Sequence, residues 1–436
     1  MKWKVLLLIS LAILLSNCRA DTKRTDGSVA STDASQPQQS LSPLPVRPLS
    51  PQLERLRLAA VQDASRIREL GFTGEVGMIE LSGWEYGTRA SEMTRSLGGR
   101  ELTLLGRLAT AGGILPEGTD VGSLAASFAA MSASASYNPI DKRVLLVTQF
   151  RDKSLLVHEF THALQDQHFD LMKLLSRKPY DFDRSEALFA LIEGDAMNVQ
   201  RRFEQGKAYE SLPIDAIAKQ EDGRFQDYRK TMGEFFQPLL TETFEFRYRD
   251  GSRFVEAVRR QRGERGVNDL FSNPPVSSEQ IIHLDKYFSG EPPREVSFDT
   301  TPFQRKGWQA TVSTALGEIG IRGVLMAGVT EKIASSAAAG WGGDRAVLFQ
   351  KDGSAPLFVW RILWDKASDA LEFQTAWKAL KEHQGENITA ISESKNAAEI
   401  HWQKDGHSTI LKRSGDSIEI VRGADTDVTW VAESEP

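Results

Sequence analysis

The sequence predicts an α+β fold, with a mostly helical core followed by a smaller C-terminal α+β region. Apolar residues recur at helical spacing from Leu53 to Leu70, and a β-like run follows from Val76 to Leu81. The turn sequence Tyr137 to Asp141 precedes a short strand, Arg143 to Thr148, which leads directly into a second amphipathic helix. We expect this short strand to form the edge of a sheet.

The region after residue 340 is predicted to consist mainly of strands, with one helix near Ser368 to His383. Before it, the small-residue segment from Gln309 to Ala339 predicts one long helix. The Gly-rich string from Trp341 to Arg345 is interpreted as a structural turn at a domain junction, with lining of the cleft as the alternative. The predicted strands are Ala346 to Gln350, Leu357 to Trp364, Ile388 to Ser394, Glu399 to Gln403, Ser408 to Arg413 and Ser417 to Arg422.

Residues 1–18 have the pattern of a bacterial lipoprotein signal peptide. Two lysines precede an apolar run from Val5 to Leu15, which is short for a membrane-spanning helix. The run ends in Leu15-Ser16-Asn17-Cys18, which resembles the lipobox, whose cysteine is acylated. Cys18 is the only cysteine, so an internal disulfide is excluded. Since Asn17 departs from the usual pattern, cleavage after Ala20 and an uncut membrane anchor remain alternatives.

Residues 19–51 are rich in Ser, Thr, Asp, Gln and Pro, a composition that predicts a disordered tether. The expected organisation is therefore a signal peptide at 1–18, a tether at 19–51, a main domain at 52–340 and a C-terminal region at 341–436. Every variant of the N-terminal prediction places the folded part outside the cytoplasm. We expect a lipoprotein anchored to the membrane of the bacterial cell envelope through Cys18.

The composition excludes one large class of partner. The formal net charge is −6, and the lysines and arginines are scattered rather than clustered. Nucleic-acid binding requires a basic face, so we expect no nucleic-acid partner. With 40% hydrophobic residues, the chain can bury a sizeable core.

The segment from Leu155 to Asp166 contains the motif H-E-x-x-H, formed by His158, Glu159 and His162. Residues four apart lie on one face of a helix, so both imidazoles can reach one metal ion. Asp152 is a plausible N-cap for this helix. Glu159 follows the first ligand directly, which places its carboxylate where a general base is needed.

A catalytic zinc ion needs a third protein ligand, and Glu193 is the best candidate. It lies in an apolar helical stretch where a carboxylate needs a cation, and Gly194 would let this helix approach the histidine helix closely. The alternative is an ion pair of Glu193 with Arg201 or Arg202.

Other acidic and histidine side chains fit the metal site less well. Glu186 and His168 are poorer ligand candidates because of their positions on the helices. Asp166 and Asp195 are candidates for carboxylates that orient an imidazole, and an ordinary structural role is equally compatible with both.

These residues resemble the gluzincin group of zinc metallopeptidases, to which thermolysin belongs. The strings from His158 to Asp170 and from Glu193 to Ala196 are similar to those of a family of largely uncharacterised exported bacterial and archaeal metallopeptidases. Two further elements match its pattern: Tyr248 with Gly251 and Phe254, and the string Pro275 to Tyr287, in which Ser278 and Leu284 depart from the usual Thr and Pro. The Gly-Trp-Gly-Gly-Asp-Arg string from Gly340 to Arg345 also looks familial. The resemblance covers about residues 50 to 375 and implies a zincin-like core.

The resemblance implies a zinc-dependent endopeptidase that uses Glu159 as general base toward a zinc-activated water. It also implies a donor to the developing oxyanion, and His283 is the first candidate. Tyr248 and Tyr287 compete for this role, and His283 could instead bind a backbone carbonyl at a turn. The strand before the histidine helix could pair with an extended substrate.

Two other functional classes remain open. The first is an envelope scaffold or binding lipoprotein that keeps zinc for stability without turnover, although such a site has no need of Glu159. The second is a zinc hydrolase acting on another amide, such as one in the cell wall.

Overall fold

The computed structural model describes residues 44–45, 47–122, 124, 134–176, 180–232, 237–394 and 396–434. The signal peptide, Cys18 and nearly all of the tether lie outside the described residues. Up to residue 272 the elements are α1 (Pro51–Arg68), β1 (Gly77–Leu81), α2 (Gly83–Ala111), β2 (Ala135–Asn138), β3 (Arg143–Val147), α3 (Lys153–Phe169), α4 (Leu171–Leu175), α5 (Phe182–Gln205), α6 (Lys207–Glu210), α7 (Ile214–Met232) and α8 (Pro238–Ser272). The remaining elements are α9 (Ser278–Ile282), α10 (Leu284–Ser289), α11 (Thr301–Arg305), β4 (Gln309–Thr314), α12 (Gly317–Leu325), α13 (Glu331–Ala338), β5 (Trp341–Gln350), β6 (Leu357–Trp364), α14 (Ala367–His383), β7 (Asn387–Glu393), β8 (Ala397–Lys404), β9 (His407–Ser414), β10 (Ser417–Gly423) and α15 (Asp425–Ser434).

The predicted α+β class is confirmed, with a helical core and a C-terminal β-sheet region. The helical core is built from α1, α3, α5 and α8, of which α5 and α8 share the most extensive contact. Long α8 is two helical segments that meet at Gly263, where φ is 68° and ψ is −175°. A left-handed φ of this kind favours glycine, which has no Cβ to clash.

A three-stranded sheet lies against the helices in the order β1-β3-β2. β1 and β3 are parallel, whereas β2 and β3 are antiparallel. The strand before the histidine helix, β3, is therefore the central strand, and the prediction that it forms an edge is wrong. Isolated sequence cannot show that a third strand, β2, arrives from upstream and covers the free side of β3. The edge next to α3 is β2, which packs against that helix.

The C-terminal region contains a seven-stranded antiparallel sheet in the order β4-β5-β6-β10-β9-β8-β7. All six strands predicted after residue 340 are present, and α14 matches the predicted helix to within one residue. The long helix predicted from Gln309 to Ala339 is wrong: the segment forms β4, α12 and α13. Its small residues suit close packing in any element, and the Ala-Thr-Val-Ser-Thr run of β4 favours a strand. The first strand of this sheet thus lies before the expected domain boundary at 341.

Aromatic side chains fill the space between this sheet and α14. Trp360, Trp364, Phe373 and Trp377 are buried and contact one another. Residues of α2, α12 and α13 belong to the same apolar cluster. The sheet is therefore packed against the helical part of the chain. Among the described residues, no helix has both the length and the hydropathy needed to cross a membrane.

Candidate metal centre

Helix α3 presents both motif histidines to the interior. The helix begins after Asp152, whose carboxylate accepts a hydrogen bond from the backbone N–H of Ser154 at 2.8 Å, as the sequence predicts. Every residue from Leu155 to Asp166 is buried. His158 and His162 therefore sit in the core of the helical layer, with their Nε2 atoms 3.0 Å apart.

Helix α5 brings Glu193 to the same point. Its Oε2 lies 3.3 Å from Nε2 of His158 and 3.4 Å from Nε2 of His162. The three residues form a group of buried side chains that could hold a metal ion. Their exposed fractions are 0%, 2% and 3%, so bulk water does not compete for these atoms.

The spacing of the three ligand atoms fits a tetrahedral site. At bond lengths of about 2.0 to 2.1 Å, two ligands of a tetrahedral zinc ion lie roughly 3.3 to 3.4 Å apart. The observed separations of 3.0, 3.3 and 3.4 Å come close to this value. Two imidazoles and one carboxylate also suit zinc and leave one position for a non-protein ligand. The residues present therefore fit a divalent metal ion.

The alternative partners of Glu193 are engaged elsewhere. Arg201 donates to Glu221 at 2.7 and 2.8 Å, and Arg202 donates to Glu264 at 2.7 Å. Burial by itself raises the pKa of Glu193, but the charge and hydrogen bonds of the two histidines outweigh it and lower this pKa to about 2. Burial likewise lowers the pKa of His162, but Glu193 outweighs it and raises this pKa to about 9. The carboxylate is thus balanced by the imidazoles, and the ion pair with Arg201 or Arg202, the alternative to the metal site, is not formed.

The carboxylate of Glu159 lies against strand β2. Its carboxylate accepts a hydrogen bond from the backbone N–H of Tyr137 at 2.7 Å, and the side chain is fully buried. The charge of Glu159 contributes to the raised pKa of His162 and of Tyr248, so its carboxylate lies near both side chains. The contact with β2 holds the carboxylate in one orientation, and sequence alone did not reveal it.

The orientation of His162 depends on a residue that sequence reasoning missed. Nδ1 of His162 lies 2.9 Å from Oε1 of Gln165, and Nε2 of the same amide donates to Asp195 at 3.0 Å. Asp195, a predicted orienting carboxylate, therefore reaches the imidazole only through Gln165. The i, i+3 spacing of His162 and Gln165 on one helix was the available signal.

The other predicted orienting carboxylate, Asp166, contacts no imidazole. It accepts from the Tyr137 hydroxyl at 2.7 Å, from Lys142 at 2.6 Å and from the backbone N–H of Leu171 at 3.0 Å. One helical turn after His162, the Asp166 side chain lies farther along α3 and meets the start of α4. Its role is to join β2, α3 and α4.

Two glycines set the distance between α5 and α8. A Cβ on Gly194 would lie 2.3 Å from the carbonyl carbon of Gly251, and a Cβ on Gly251 would lie 2.2 Å from the carbonyl oxygen of Ala190. The prediction that Gly194 serves the approach of α5 to the histidine helix is therefore wrong, because it faces α8. This crossing brings Tyr248, one turn before Gly251, next to Glu193.

The three candidate oxyanion donors lie in different places. Burial raises the pKa of Tyr248 well above its usual range, and Glu193, through its charge and a hydrogen bond, raises it further. His283 lies between α9 and α10, with its Nε2 3.0 Å from both carboxylate oxygens of Glu318. Tyr287 packs on Phe254. Tyr248 is thus the candidate beside the ligands, whereas the oxyanion role of His283 stays a prediction.

The string from Trp341 to Arg345 is the first part of strand β5 rather than a turn. Asp344 is buried and accepts from the indole N–H groups of Trp341 and Trp360 at 3.0 and 2.8 Å. It also accepts from the backbone N–H groups of Leu316 and Gly317 at 2.9 Å. A β-bulge between Trp341 and Gly343 interrupts the regular strand, so the Gly-rich sequence resembles a turn. Through Asp344, the string from Trp341 to Arg345 therefore joins the sheet to the start of α12.

A cavity next to the candidate metal ligands has an empty volume of about 330 Å³, including space open to solvent. His162 and Glu193 form part of its wall, while the wall is otherwise mostly apolar. The other lining residues are Tyr137, Pro139, Leu171, Leu175, Phe189 and Ile192.

The fold and this site define a protein with a buried His-His-Glu group able to hold a metal ion. Residues 305–431 match a family described as a domain of unknown function, DUF8575, which lies outside the metal centre. No curated protein matches the chain. A protein from Chloroflexus aurantiacus, whose crystal structure is described as that of "a putative hydrolase with a novel fold", is 16% identical to this chain. The structural alignment covers 56% of this chain and 92% of that chain, with a TM-score of 0.34. A likeness at this score supports no conclusion, and the resemblance to gluzincins stays a prediction.

Proposed function

We propose that the protein is a zinc-dependent metallopeptidase that hydrolyses peptide bonds, with an endopeptidase as the preferred form. The observation that carries the proposal is the triangle of ligand atoms on His158, His162 and Glu193. Its dimensions suit a tetrahedral zinc ion, and three protein ligands leave one position for chemistry. When bound, zinc supplies Lewis-acid chemistry, polarising a carbonyl and making water more acidic.

The chain's own residues supply the remaining functions. Glu159 is the general base: its carboxylate takes a proton from the attacking water and passes it to the leaving amine. The backbone N–H of Tyr137 keeps this carboxylate oriented. Tyr248, which lies beside Glu193, and His283, the first candidate from the sequence, are the candidates for donating a hydrogen bond to the developing oxyanion. Because β2 is an edge strand beside α3, it replaces β3 as the candidate for pairing with an extended substrate.

The proposed location is the bacterial cell envelope, with a lipid anchor at Cys18 and the folded part held clear of the membrane by residues 19–51. The support is the sequence pattern of the first 51 residues. A protein or peptide outside the cytoplasm is then the substrate. No nucleic-acid partner is proposed, because the net charge is −6 and basic residues are scattered.

The alternative function is a zinc-containing envelope scaffold without turnover. The presence of Glu159 argues against it, since this buried carboxylate is not one of the three residues of the metal group. A structural site gains nothing from a second buried carboxylate, whose desolvation is unfavourable.

The deciding experiment compares the zinc-loaded protein with Glu159→Gln on an unbiased peptide library. The variant keeps the shape and a hydrogen-bonding group, so we expect normal folding and zinc content. Peptide hydrolysis should fall by roughly two to four orders of magnitude, as expected on loss of a general base. If the zinc-loaded wild-type protein cleaves no peptide, the peptidase proposal fails and the scaffold is favoured.

A further inference from the structure

Three buried side chains from three helices form a hydrogen-bonded chain that ends on a metal ligand. Gln165 on α3, Asp195 on α5 and Arg68 on α1 are 0%, 1% and 0% exposed. Oε1 of Gln165 lies 2.9 Å from Nδ1 of His162, and its Nε2 lies 3.0 Å from Asp195. Nε of Arg68 lies 2.8 and 3.0 Å from the two oxygens of Asp195.

The partners of Gln165 fix which way its amide points. Its Nε2 also lies 3.0 Å from the carbonyl oxygen of Ile192. A carbonyl and a carboxylate can only accept hydrogen bonds, so the amide nitrogen must face them and the amide oxygen must face His162. Because that oxygen can only accept, Nδ1 of His162 must carry a proton. In the neutral ring, Nε2 then holds the lone pair that points toward His158 and Glu193.

Arg68 makes this arrangement directional. A guanidinium can only donate hydrogen bonds, so Asp195 beside it must accept. Asp195 therefore also accepts from Gln165, and the order of donors and acceptors along these hydrogen bonds is fixed. The remaining donors of Arg68 reach Glu264 at 2.9 Å and Asn268 at 2.8 Å, both on α8. Helix α1 contributes Arg68 from its last turn and so takes part in the metal centre, although it holds no ligand.

We infer that Gln165, oriented by Asp195 and Arg68, is a positioning residue that keeps the proton on Nδ1 of His162 and reserves Nε2 for the metal. The inference rests on the proposed metal site but not on the proposed peptidase activity. Partners of this kind strengthen metal binding because they fix both the tautomer and the ring orientation of the ligand. The predicted ligand set is unchanged, while the determinants of its affinity extend to α1.

The test measures zinc affinity by chelator competition and the imidazole N–H signals of the zinc-loaded protein by NMR. Gln165→Met keeps the length but lacks an amide oxygen. Asp195→Asn can donate to Gln165, so the amide can turn over and present its NH₂ group to His162. We expect zinc affinity to fall about 10- to 100-fold in both variants. The slowly exchanging Nδ1–H signal of His162 should be present in the wild type and absent from Gln165→Met.

Glu221→Gln is the matched control, because Arg201 and Glu221 form an equally buried ion pair on α5 and α7 without touching an imidazole. It should lower stability and leave zinc affinity unchanged. Wild-type zinc affinity in both test variants would overturn the inference. If a variant does not fold, the wild-type spectrum decides: an Nε2–H signal for His162, with zinc on Nδ1, overturns the inference, and an Nδ1–H signal supports it. Zinc binding without peptide cleavage would refute only the peptidase proposal.

Discussion

The contact between α5 and α8 offers the most direct test of how the fold places the metal ligands. Gly251→Ala adds one methyl group where the two helices cross. That carbon would lie 2.2 Å from the carbonyl oxygen of Ala190 and 3.0 Å from its carbonyl carbon. Both atoms belong to the backbone of α5, so no side-chain rotation can relieve the overlap. One helix must move away from the other by about 1 Å to restore an ordinary contact.

This displacement has an effect on stability and an effect on the site. Overpacking of a well-packed core usually costs about 1 to 3 kcal/mol, and a rigid backbone neighbour favours the upper end, about 3 kcal/mol. Since Glu193 precedes the α5 contact residue Gly194 and Tyr248 lies one turn before Gly251, the same shift separates Tyr248 from Glu193. We expect the free energy of unfolding to fall and zinc affinity to weaken in the same variant.

The assay is urea unfolding followed by circular dichroism, with zinc affinity measured by chelator competition. Gly223→Ala on α7 is the matched control, because its new Cβ has no neighbour within 4 Å. In an exposed helix interior, Ala is favoured over Gly by about 1 kcal/mol. The control should therefore raise the unfolding midpoint while Gly251→Ala lowers it. A Gly251→Ala protein as stable as the wild type would refute the close-crossing argument.

Three further outcomes are expected. Glu193→Gln should reduce zinc content sharply from one ion per chain, because the carboxylate supplies one of three ligands; full wild-type affinity would require another third ligand. The hydrogen bond to Glu318 raises the pKa of His283, and burial opposes this rise; Glu279 adds to the rise, and Lys286 opposes it. The His283–Glu318 pair therefore stabilises the fold below about pH 6.5, and this stabilisation is lost as the pH rises through the elevated pKa of His283. His283→Ala should therefore destabilise the protein more at pH 6 than at pH 9 in thermal unfolding; an equal loss at both values would contradict the pairing. The wild type should incorporate a fatty-acid analogue and sediment with membranes, and Cys18→Ser should do neither; unlabelled wild-type protein would remove the lipid anchor.

Local patterns in the sequence were sufficient for the elements whose signal lies within a few residues. The histidine helix is an example, since its N-cap at Asp152 and its i, i+4 histidines are both local features. The strands from β6 to β10 are another, because alternating apolar residues and short polar turns recur along them. Glu193 also lies beside the two histidines, as expected from a carboxylate in an apolar helix that needs a cation.

Features that depend on distant segments could not be read in this way. Whether β3 is an edge or a central strand depends on whether β2 pairs with its free side. The sequence around Gly194 likewise does not show that this residue contacts Gly251, 57 residues later, rather than α3. The segment from Gln309 to Ala339 has small residues compatible with both helix and strand, so pairing of β4 with β5 settles its structure. The series of hydrogen bonds from Arg68 through Asp195 and Gln165 to His162 could not be predicted from the sequence either. Hydrogen bonds act over about 3 Å, and only folding brings residues far apart in sequence within that distance.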